Sequence, residues 1–376
     1  MKHDFDVVVV GVGGMGSAAV HALARRGARV LGLERFDIAH DRGSSHGDTR
    51  IIRKAYFEHP DYVPLLHRAY ELWGELEEAA SVSLFDRCGF LTVGAPGSAS
   101  IGGLQACYAQ HAMPHERLDG GELAARFPQL RAEPDAVAFF DPLGGYLRVE
   151  DCVTTQVAQA RAAGAAVRTG AAVTSWEAAD DGVVVHTDAE EITAAGLVLT
   201  TGAWLRAELA RVGVAVEVWR KVLFWYETAE LEPFLPAALP TFYIEKDYGH
   251  FYGFPSVDDR GLKAAEHLAV TPIDDPDALE RALQPGDEAP VGRFVAETFP
   301  GVLSGPVSHA VCMYTMTPDG HFVIDRHPLH PRVVLAGGFS GHGFKFAAAV
   351  GEIAAELALD GAARLPIGFL GLARFA

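Results

Sequence analysis

A glycine-rich turn near the start of the chain has the spacing that binds the pyrophosphate of a dinucleotide. Gly11, Gly13 and Gly16 satisfy G-x-G-x-x-G between an apolar strand pattern and a helix pattern. The first glycine permits a tight turn, the second lets the backbone approach a phosphate, and the third lets helix and strand pack closely. Glu34 closes the next strand pattern, where a carboxylate can accept hydrogen bonds from a ribose. The motif predicts a dinucleotide site but does not separate FAD from NAD, and a glycine turn without a ligand is the alternative.

Two later segments favour a flavin. Residues 196–204 form an apolar strand pattern that ends in small residues, and residues 337–345 form a glycine-rich turn that leads into a helix pattern. If both strands belong to the sheet of the first motif, three turns converge on one extended cofactor. The last turn also combines a helix N-terminus with Lys345, which suits negative charge on a reduced isoalloxazine ring. A tight loop without a ligand is the alternative for this turn.

Residues 44–53 and Cys312 are further candidates for chemistry. The segment gathers His46, Arg50 and Arg53, and if it is helical the two arginines share a face, so that their repulsion argues for an anionic partner. A solvated loop is the alternative. Cys312 follows an apolar stretch, which places a thiol near a strand end. Most such cysteines are only packed, because reactivity requires a depressed thiol pKa.

Lys263, with Glu266 and His267, forms another polar group on an otherwise apolar strand pattern. An exposed strand face is the alternative to a functional role.

The composition disfavours several classes of function. The 376-residue chain has 31 Lys plus Arg against 49 Asp plus Glu, and its net charge of −18 would repel nucleic-acid phosphates and anionic lipids. A carboxylate site must therefore supply its own cluster of Arg and Lys. The 4 cysteines form no C-x-x-C pair, the 16 histidines show no metal-binding motif, and no apolar run reaches the roughly 18 residues of a membrane span. We expect a soluble cytoplasmic protein without signal peptide, metal, nucleic-acid or membrane partner.

The elements that must position these residues alternate between strand and helix, which predicts an α/β fold. The length predicts two connected domains. A second sheet with large aromatic residues, over residues 222–227, 242–245, 250–254 and 262–266, is the candidate substrate domain. The other predicted strands cover residues 6–10, 29–34, 85–93, 136–147, 196–204 and 333–336, with short strands near Ala166, Val173 and Val183, and the predicted helices cover residues 14–26, 61–79, 150–163 and 345–359.

Together these motifs resemble the monomeric sarcosine oxidase family of flavoproteins, which includes N-methyl-L-tryptophan oxidase and pipecolate oxidase. The likeness covers nearly the whole chain and is most specific at residues 43–53, 252–255, 261–263 with His267, 312–315 and 338–346. It implies a glutathione-reductase-like FAD-binding domain of the Rossmann type, formed by residues 1–83, 148–214 and 318–376. A second substrate domain on a mixed β-sheet would comprise residues 84–147 and 215–317.

The resemblance also implies how FAD is held. Cys312 would be linked through its sulfur to the 8α-methyl carbon of the flavin, which reverses the interpretation of this cysteine as merely packed. Lys263 would lie over one face of the ring, where a positive charge assists dioxygen in taking its first electron, and His46 and Arg50 would flank the ring. The implied cofactor-binding residues are Gly11, Gly13, Gly14, Met15, Gly16, Glu34, Arg35, Ser44, Ser45, His46, Arg50, Val173, Gly202, Trp204, Cys312, Met313, Gly341, Gly343, Phe344 and Lys345.

For the substrate, the resemblance implies that Arg53 and Lys345 clamp a carboxylate, which would offset the acidic surface. The implied catalytic and substrate-bordering residues are Lys263, Arg50, His46, Tyr243, Tyr252, His267 and Tyr314.

The sequence departs from the family pattern near the predicted pocket. Tyr243 replaces a less bulky apolar residue, Glu266 replaces an aromatic one, and Trp225 and Tyr226 add bulk. Such a pocket either rejects sarcosine or stacks an aromatic or cyclic amino acid, so the family does not fix the substrate.

The predicted function is oxidation of a secondary amino acid, N-methyl or cyclic, to an imine, with reduction of dioxygen to hydrogen peroxide by a monomeric enzyme. No general base is evident, so binding beside the cationic cluster would lower the amine pKa. The alternatives are an FAD-dependent dehydrogenase with another electron acceptor and a non-catalytic dinucleotide-binding protein.

Overall fold

The computed structural model of the protein describes residues 3–179 and 181–376. Its strands are β1 (Phe5–Val10), β2 (Val30–Leu33), β3 (Thr49–Ile52), β4 (Phe85–Asp86), β5 (Phe90–Gly94), β6 (Glu116–Leu118), β7 (Val137–Asp141), β8 (Gly145–Arg148), β9 (Ala166–Arg168), β10 (Val173–Ala178), β11 (Val183–Thr187), β12 (Glu191–Leu199), β13 (Glu217–Tyr226), β14 (Thr241–Lys246), β15 (Gly249–Phe254), β16 (Leu262–Glu266), β17 (Pro272–Ile273), β18 (Ser308–Met316), β19 (Val323–Arg326) and β20 (Val333–Gly337). Its α-helices are α1 (Gly14–Arg25), α2 (Tyr62–Ala80), α3 (Ala99–His111), α4 (Gly120–Arg126), α5 (Val149–Ala162), α6 (Arg206–Arg211), α7 (Ala289–Thr298) and α8 (Ala347–Leu359).

The first sheet has a parallel centre, in which β1 pairs with β2 and β12, β12 pairs with β20, and β2 pairs with β9. The strands β10, β11 and β19 join it in antiparallel pairs. Successive valines of β1 point to opposite faces, because side chains alternate along a strand. Val7 and Val9 pack in the core formed with α1 and α8, whereas Val8 and Val10 pack in the core on the other face. The sheet is therefore covered on both sides, as parallel sheets usually are.

The second sheet is mixed and runs in the order β17-β13-β16-β15-β14-β5-β7-β6, with β18 also paired to β13. The side chains of β13 alternate between two apolar cores. Phe224 and Tyr226 pack on one face with helix α7, and Leu223 and Trp225 pack on the other face with Cys312 of β18. We call this second side the cavity face of the sheet. A third, small sheet joins β3 and β4 to β8.

The α/β fold and the mixed second sheet agree with the sequence prediction. The helices α3, α4, α6 and α7 were not predicted. The segment that carries Arg50 is strand β3, so Arg50 and Arg53 do not share a helical face. The last predicted helix begins with a 3₁₀ turn, Phe344–Phe346, before α8. Among the described residues, no helix combines the length and the apolar composition of a membrane span.

Candidate active site

A long cavity lies between the first sheet and the cavity face of the second sheet. At one end it meets the turns that follow β1, β12 and β20, because parallel strands that end at one edge bring their turns together. The sequence-predicted residues that line it are Gly11, Gly13, Gly14, Met15, Glu34, Arg35, Ser44, Ser45, Arg50, Arg53, Val173, Gly202, Trp204, Tyr243, Tyr252, His267, Cys312, Met313, Tyr314, Gly341, Gly343, Phe344 and Lys345.

The first glycine turn is closely packed and leaves room for a phosphate. Gly11 has a φ of +86°, in the region that L side chains rarely adopt. A Cβ atom at Gly14 would lie 2.8 Å from the ring of Phe344, and one at Gly16 would meet the backbone oxygen of Gly11. The first turn of α1 has no acidic residue and no side-chain cap from Gly13, which suits an anion at this helix N-terminus. The Gly14 amide donates to the Ser45 hydroxyl at 3.0 Å.

Glu34 is a buried carboxylate at the end of β2. Its two oxygens accept hydrogen bonds from the amides of Val12, at 2.7 Å, and Phe36, at 3.0 Å. Burial alone would raise the pKa of Glu34, but hydrogen bonds from His40 and these two amides hold the pKa below its usual value. The carboxylate is therefore ionised, and its remaining lone pairs face the cavity as acceptors for hydroxyl groups.

Cys312 lies in the middle of β18, between Ser308 and Met316, and not near a strand end as the sequence predicted. The thiol is 1% exposed and lines the cavity together with Tyr314 of the same strand. Burial raises the pKa of Cys312, and the positive charges of Arg50, Lys263, Lys221 and Arg281 oppose this shift. Because the thiol is protonated at neutral pH, it needs a base before it can act as a nucleophile.

Lys263 and His46 lie behind the cavity wall and not in it. Lys263 is 2% exposed, which rules out the exposed strand face considered above. Its ammonium group donates to the Gly47 carbonyl, to the Thr49 carbonyl at 3.2 Å and to the Thr49 hydroxyl at 3.0 Å. His46 Nε2 is buried and has no hydrogen-bond partner among the described residues. Burial lowers the pKa of His46 to about 3, so this ring is neutral.

Arg53 is a buried cation at the other end of the cavity. It is 4% exposed and its Nη2 atom donates to both oxygens of Glu58, at 2.6 and 2.8 Å. The guanidinium carbon lies 4.3 Å from the ring centres of Tyr56 and Phe57. Burial alone would raise the pKa of Glu58, but Arg53, followed by His342 and Lys345, holds the pKa below its usual value. Arg53 therefore faces the cavity already paired with an anion.

Lys345 supplies a second nitrogen beside this ion pair. Its Nζ atom donates to the His342 carbonyl at 2.7 Å and lies 5.3 Å from the ring centre of Tyr56. Burial and the charge of Arg53 lower the pKa of Lys345 to about 7, and Glu58 opposes the shift. The site therefore gains or loses one positive charge near neutral pH.

An aromatic wall formed by Tyr243, Tyr252, His267 and Tyr314 closes this end of the cavity. The His267 ring meets the three tyrosine rings edge-on, at centroid distances of 6.0, 6.1 and 5.6 Å. The hydroxyl of Tyr314 donates to that of Tyr252 at 3.3 Å, and the hydroxyl of Tyr243 lies 2.9 Å from Nδ1 of His250. Burial lowers the pKa of His267 to about 3. The wall is therefore neutral, and its polar tips are engaged with one another or with His250.

Three residues that the sequence placed at the pocket lie elsewhere. Tyr226 points to the opposite face of the second sheet, where its hydroxyl donates to Glu288 at 3.2 Å. Trp225 is on the cavity face but packs over Lys263, and Glu266 is half-buried outside the lining. Gly16 also lies outside the lining, as a packing position. Of the substitutions that set this chain apart from the family pattern, Tyr243 alone lines the cavity among the described residues.

Other cavity residues were not found from the sequence. The most consequential is Glu58, whose position five residues after Arg53 in a loop gave no periodic signal. The further lining residues at the two ends include Phe36, His40, Phe57, Phe90, Thr200, Thr201, Thr315, Gly338, Phe339 and His342.

The geometry fits FAD. The glycine cradle before α1 and the ionised Glu34 suit a pyrophosphate and a ribose. Arg50, which lines the cavity and lowers the pKa of Cys312 by its positive charge, suits the polar edge of a flavin ring, and the thiol lies within the same cavity. Gly13, Gly14, Glu34 and Ser45 would hold the nucleotide half, and the surroundings of Cys312 would hold the ring.

The fold and the site define an FAD-dependent oxidoreductase. The sequence model of the family named FAD dependent oxidoreductase matches residues 6–357. The monomeric sarcosine oxidase of Streptomyces avermitilis is 42% identical over 381 residues, which cover 100% of this chain and 99% of that protein. The N-methyl-L-tryptophan oxidase of Yersinia pestis is 34% identical over 383 residues, with 99% and 100% covered. The structure of NikD, an unusual amino acid oxidase essential for nikkomycin biosynthesis, aligns with a TM-score of 0.87 at 26% identity and covers 98% of each chain.

The chain therefore belongs to the FAD-dependent oxidoreductase family that contains the monomeric sarcosine oxidases and the N-methyl-L-tryptophan oxidases.

Proposed function

We propose that the protein oxidises a secondary amino acid, N-methyl or cyclic, to the imine, and that dioxygen is reduced to hydrogen peroxide. The observation that carries this proposal is the placement of Arg53 and Lys345 beside a neutral aromatic wall, in the cavity that also contains Cys312. In a strongly acidic chain, Arg53 and the protonated form of Lys345 supply positive charge where a substrate carboxylate would enter, and Glu58 offsets part of it. Two relatives are named for the oxidation of sarcosine and of N-methyl-L-tryptophan, and these names support the same substrate class.

The residues of the chain position the substrate. Arg53 and Lys345 donate to the carboxylate, and the rings of Tyr243, Tyr252 and Tyr314 exclude water from the reacting carbon. The positive charges beside the amine lower its pKa and favour the neutral form that reacts. Bound FAD supplies the chemistry by accepting two electrons and a hydrogen from the carbon next to nitrogen. The imine then hydrolyses in water.

Arg50, His46 and Lys263 are proposed to act on the charge of the ring. Arg50 lines the cavity, and its guanidinium group is held by the carbonyls of Ser44, at 2.8 Å, and Thr49, at 2.9 Å. Lys263 lies behind the wall, and burial lowers its pKa well below the usual value. The three acceptors around its nitrogen and negative charge on the reduced flavin would both favour the ammonium form that its proposed role in oxygen reduction requires.

We also propose that FAD is covalently attached to the protein through a thioether bond between Cys312 and the flavin. It is tested by precipitating the purified protein with acid. We expect the yellow colour to stay with the pellet, and Cys312→Ala to release it to the supernatant. Colour released from the unsubstituted protein would refute the covalent bond while leaving FAD binding intact.

The reaction itself is tested in two measurements on the holoenzyme. Sarcosine, N-methyl-L-tryptophan and L-pipecolate are mixed with it in the absence of oxygen, and bleaching of the flavin absorbance identifies an accepted amine. Turnover under air then gives the yield of peroxide per imine. A yield near one supports an oxidase. Bleaching without peroxide, with turnover on an artificial electron acceptor, would favour a dehydrogenase, and no bleaching with any amine would favour a binding protein.

We also propose that residues 1–83, 148–214 and 318–376 form the FAD-binding domain and residues 84–147 and 215–317 the substrate domain. The first sheet draws its strands from residues 5–33, 166–199 and 323–337, and the second draws them from residues 90–141 and 217–316, which supports this division. A monomeric state and a cytoplasmic location belong to the same proposal. The four unpaired cysteines are compatible with a reducing compartment.

A further inference from the structure

Lys221 is a buried lysine that the proposed reaction does not use. It lies in the middle of β13, is 3% exposed, and donates to the Ala269 carbonyl. Its Nζ atom lies 5.5 Å from the ring centre of Trp219 and 5.2 Å from that of Tyr314. None of the residues that the structure describes forms an ion pair with it. Burial of an ammonium group without a carboxylate is costly, so the position calls for a functional explanation.

The sheet register places Lys221 beside the candidate flavin-linking cysteine. Lys221 of β13 is the direct antiparallel partner of Cys312 of β18, and side chains of direct partners lie on the same face, with Cβ atoms about 5 Å apart. The ring contact between Lys221 and Tyr314, two residues beyond Cys312, confirms that the lysine is on the cavity face.

The other cations around the thiol are poor proton acceptors. Arg50 and Arg281 stay protonated at any physiological pH. Lys263 lies on β16, on the far side of β13 from Cys312, where its direct partner is Trp225, and its nitrogen already has three hydrogen-bond partners. Lys221 has one such partner, which leaves its nitrogen free to receive a proton from the neighbouring strand.

We propose that Lys221 is the general base that removes the thiol proton of Cys312 when the flavin becomes covalently attached. This inference rests on the covalent bond described under the proposed function. The sulfur forms a bond to the 8α carbon, and that carbon loses one hydrogen as a proton. The two electrons released enter the ring system together with two protons, one from the thiol by way of Lys221 and one from the methyl group. Dioxygen then takes two electrons and two protons, giving hydrogen peroxide and the oxidised, attached cofactor.

The pH dependence follows from the groups that face the pair. Burial lowers the pKa of Lys221 to about 8, and Glu266 and Cys312 oppose this shift. Tyr314 packs over the lysine but remains neutral, because burial raises its pKa well above the usual value. The neutral, proton-accepting amine therefore becomes dominant above about pH 8, and the attachment rate should rise with pH and level off there.

The test measures attachment and not turnover. Protein produced without flavin is mixed with FAD under air, and the flavin that stays with acid-precipitated protein is followed in time from about pH 6 to about pH 9. We expect Lys221→Gln and Lys221→Arg both to slow attachment at least about tenfold at neutral pH, because arginine keeps the charge but accepts no proton. Lys246→Gln, on the half-buried side chain that pairs with Glu133, is the matched control and should attach at the unsubstituted rate.

Each outcome decides the inference. Attachment of the arginine variant at the unsubstituted rate would show that charge alone suffices and would overturn the role as a base. If neither variant binds FAD, the pH dependence of flavin attachment in the unsubstituted protein decides. An attachment rate that does not change with pH would contradict a base with the pKa of Lys221. If the unsubstituted protein never retains flavin after acid precipitation, the proposed covalent bond is refuted, and the role of Lys221 is refuted with it. Slow attachment confined to the Lys221 variants supports both the covalent bond and the role of Lys221.

Discussion

Replacement of Arg53 by Ala tests the carboxylate clamp directly. In the structure, the guanidinium group makes two short contacts with the Glu58 carboxylate, and we expect a substrate carboxylate to receive contacts of the same kind. Hydrogen bonds to charged groups contribute about 1.5 to 3 kcal/mol each. Loss of one such hydrogen bond, about 1.5 to 3 kcal/mol, corresponds to an increase in KM of about 13- to 160-fold.

Glu58 adds a second effect that separates this explanation from a general loss of structure. Without Arg53, Glu58 remains as a buried, uncompensated carboxylate that repels the substrate, and breaking such a pair costs about 3 to 5 kcal/mol of stability. The double variant Arg53→Ala with Glu58→Gln removes that charge. It should regain most of the melting temperature and part of the lost affinity, although the clamp itself is absent.

The assay is peroxide production with the best amine from the bleaching screen and with a matched amine that lacks the carboxylate. Arg53→Ala should raise KM for the first substrate and leave the second nearly unchanged. An unchanged KM for the carboxylate substrate would remove Arg53 from the clamp. An equal loss for both substrates, with lowered flavin content, would mean that the variant damages the fold and not the recognition of the carboxylate.

Three further predictions follow from the same geometry. Lys345 loses its proton at about pH 7, so the dissociation constant of acetate, read from the flavin absorbance, should increase from about pH 6 to about pH 8, and Lys345→Arg should abolish this dependence. Gly16→Ala places a methyl group against the Gly11 carbonyl and should lower both FAD affinity and melting temperature, whereas Gly74→Ala, where a Cβ atom meets nothing within 4 Å, should be neutral or slightly stabilising. His46, His267 and His342 have folded-state pKa values of about 3, 3 and 4, below the ordinary 6.5. Their protonation therefore favours the unfolded state, and the melting temperature should fall as the pH decreases below about 6.5. The fall should be less steep in His46→Asn. A melting temperature that rises as the pH decreases would contradict the low folded-state pKa values of these histidines.

The nucleotide half of the cavity could be predicted from the sequence because its determinants are local. The turn at Gly11, the helix after it and Glu34 lie within one strand-helix-strand unit, where spacing alone fixes what faces a ligand. The same holds for the turn at residues 337–345. In each turn, the residues expected to contact the cofactor are the same residues that determine the backbone conformation.

The substrate half depends on register between distant strands, which local periodicity does not contain. The apolar stretch before Cys312 predicts a strand end near this residue, yet β18 continues to Met316. Trp225 and Tyr226 are adjacent in sequence and were assigned together to the pocket, although neighbouring residues in a strand must face opposite sides. The alternation along β13 could have excluded one of them, but the choice between them required the position of the cavity.

This difference bears on how the substrate is selected. The nucleotide half is shaped by backbone and glycines, which tolerate little change, whereas the substrate half consists of side chains held by pairwise contacts. Tyr243 is held by His250, and Arg53 is held by Glu58. We therefore expect a substitution at Tyr243 to change the substrate preference of this protein while the cofactor site stays intact, and the contacts of Tyr243 are where substrate preference should be measured first.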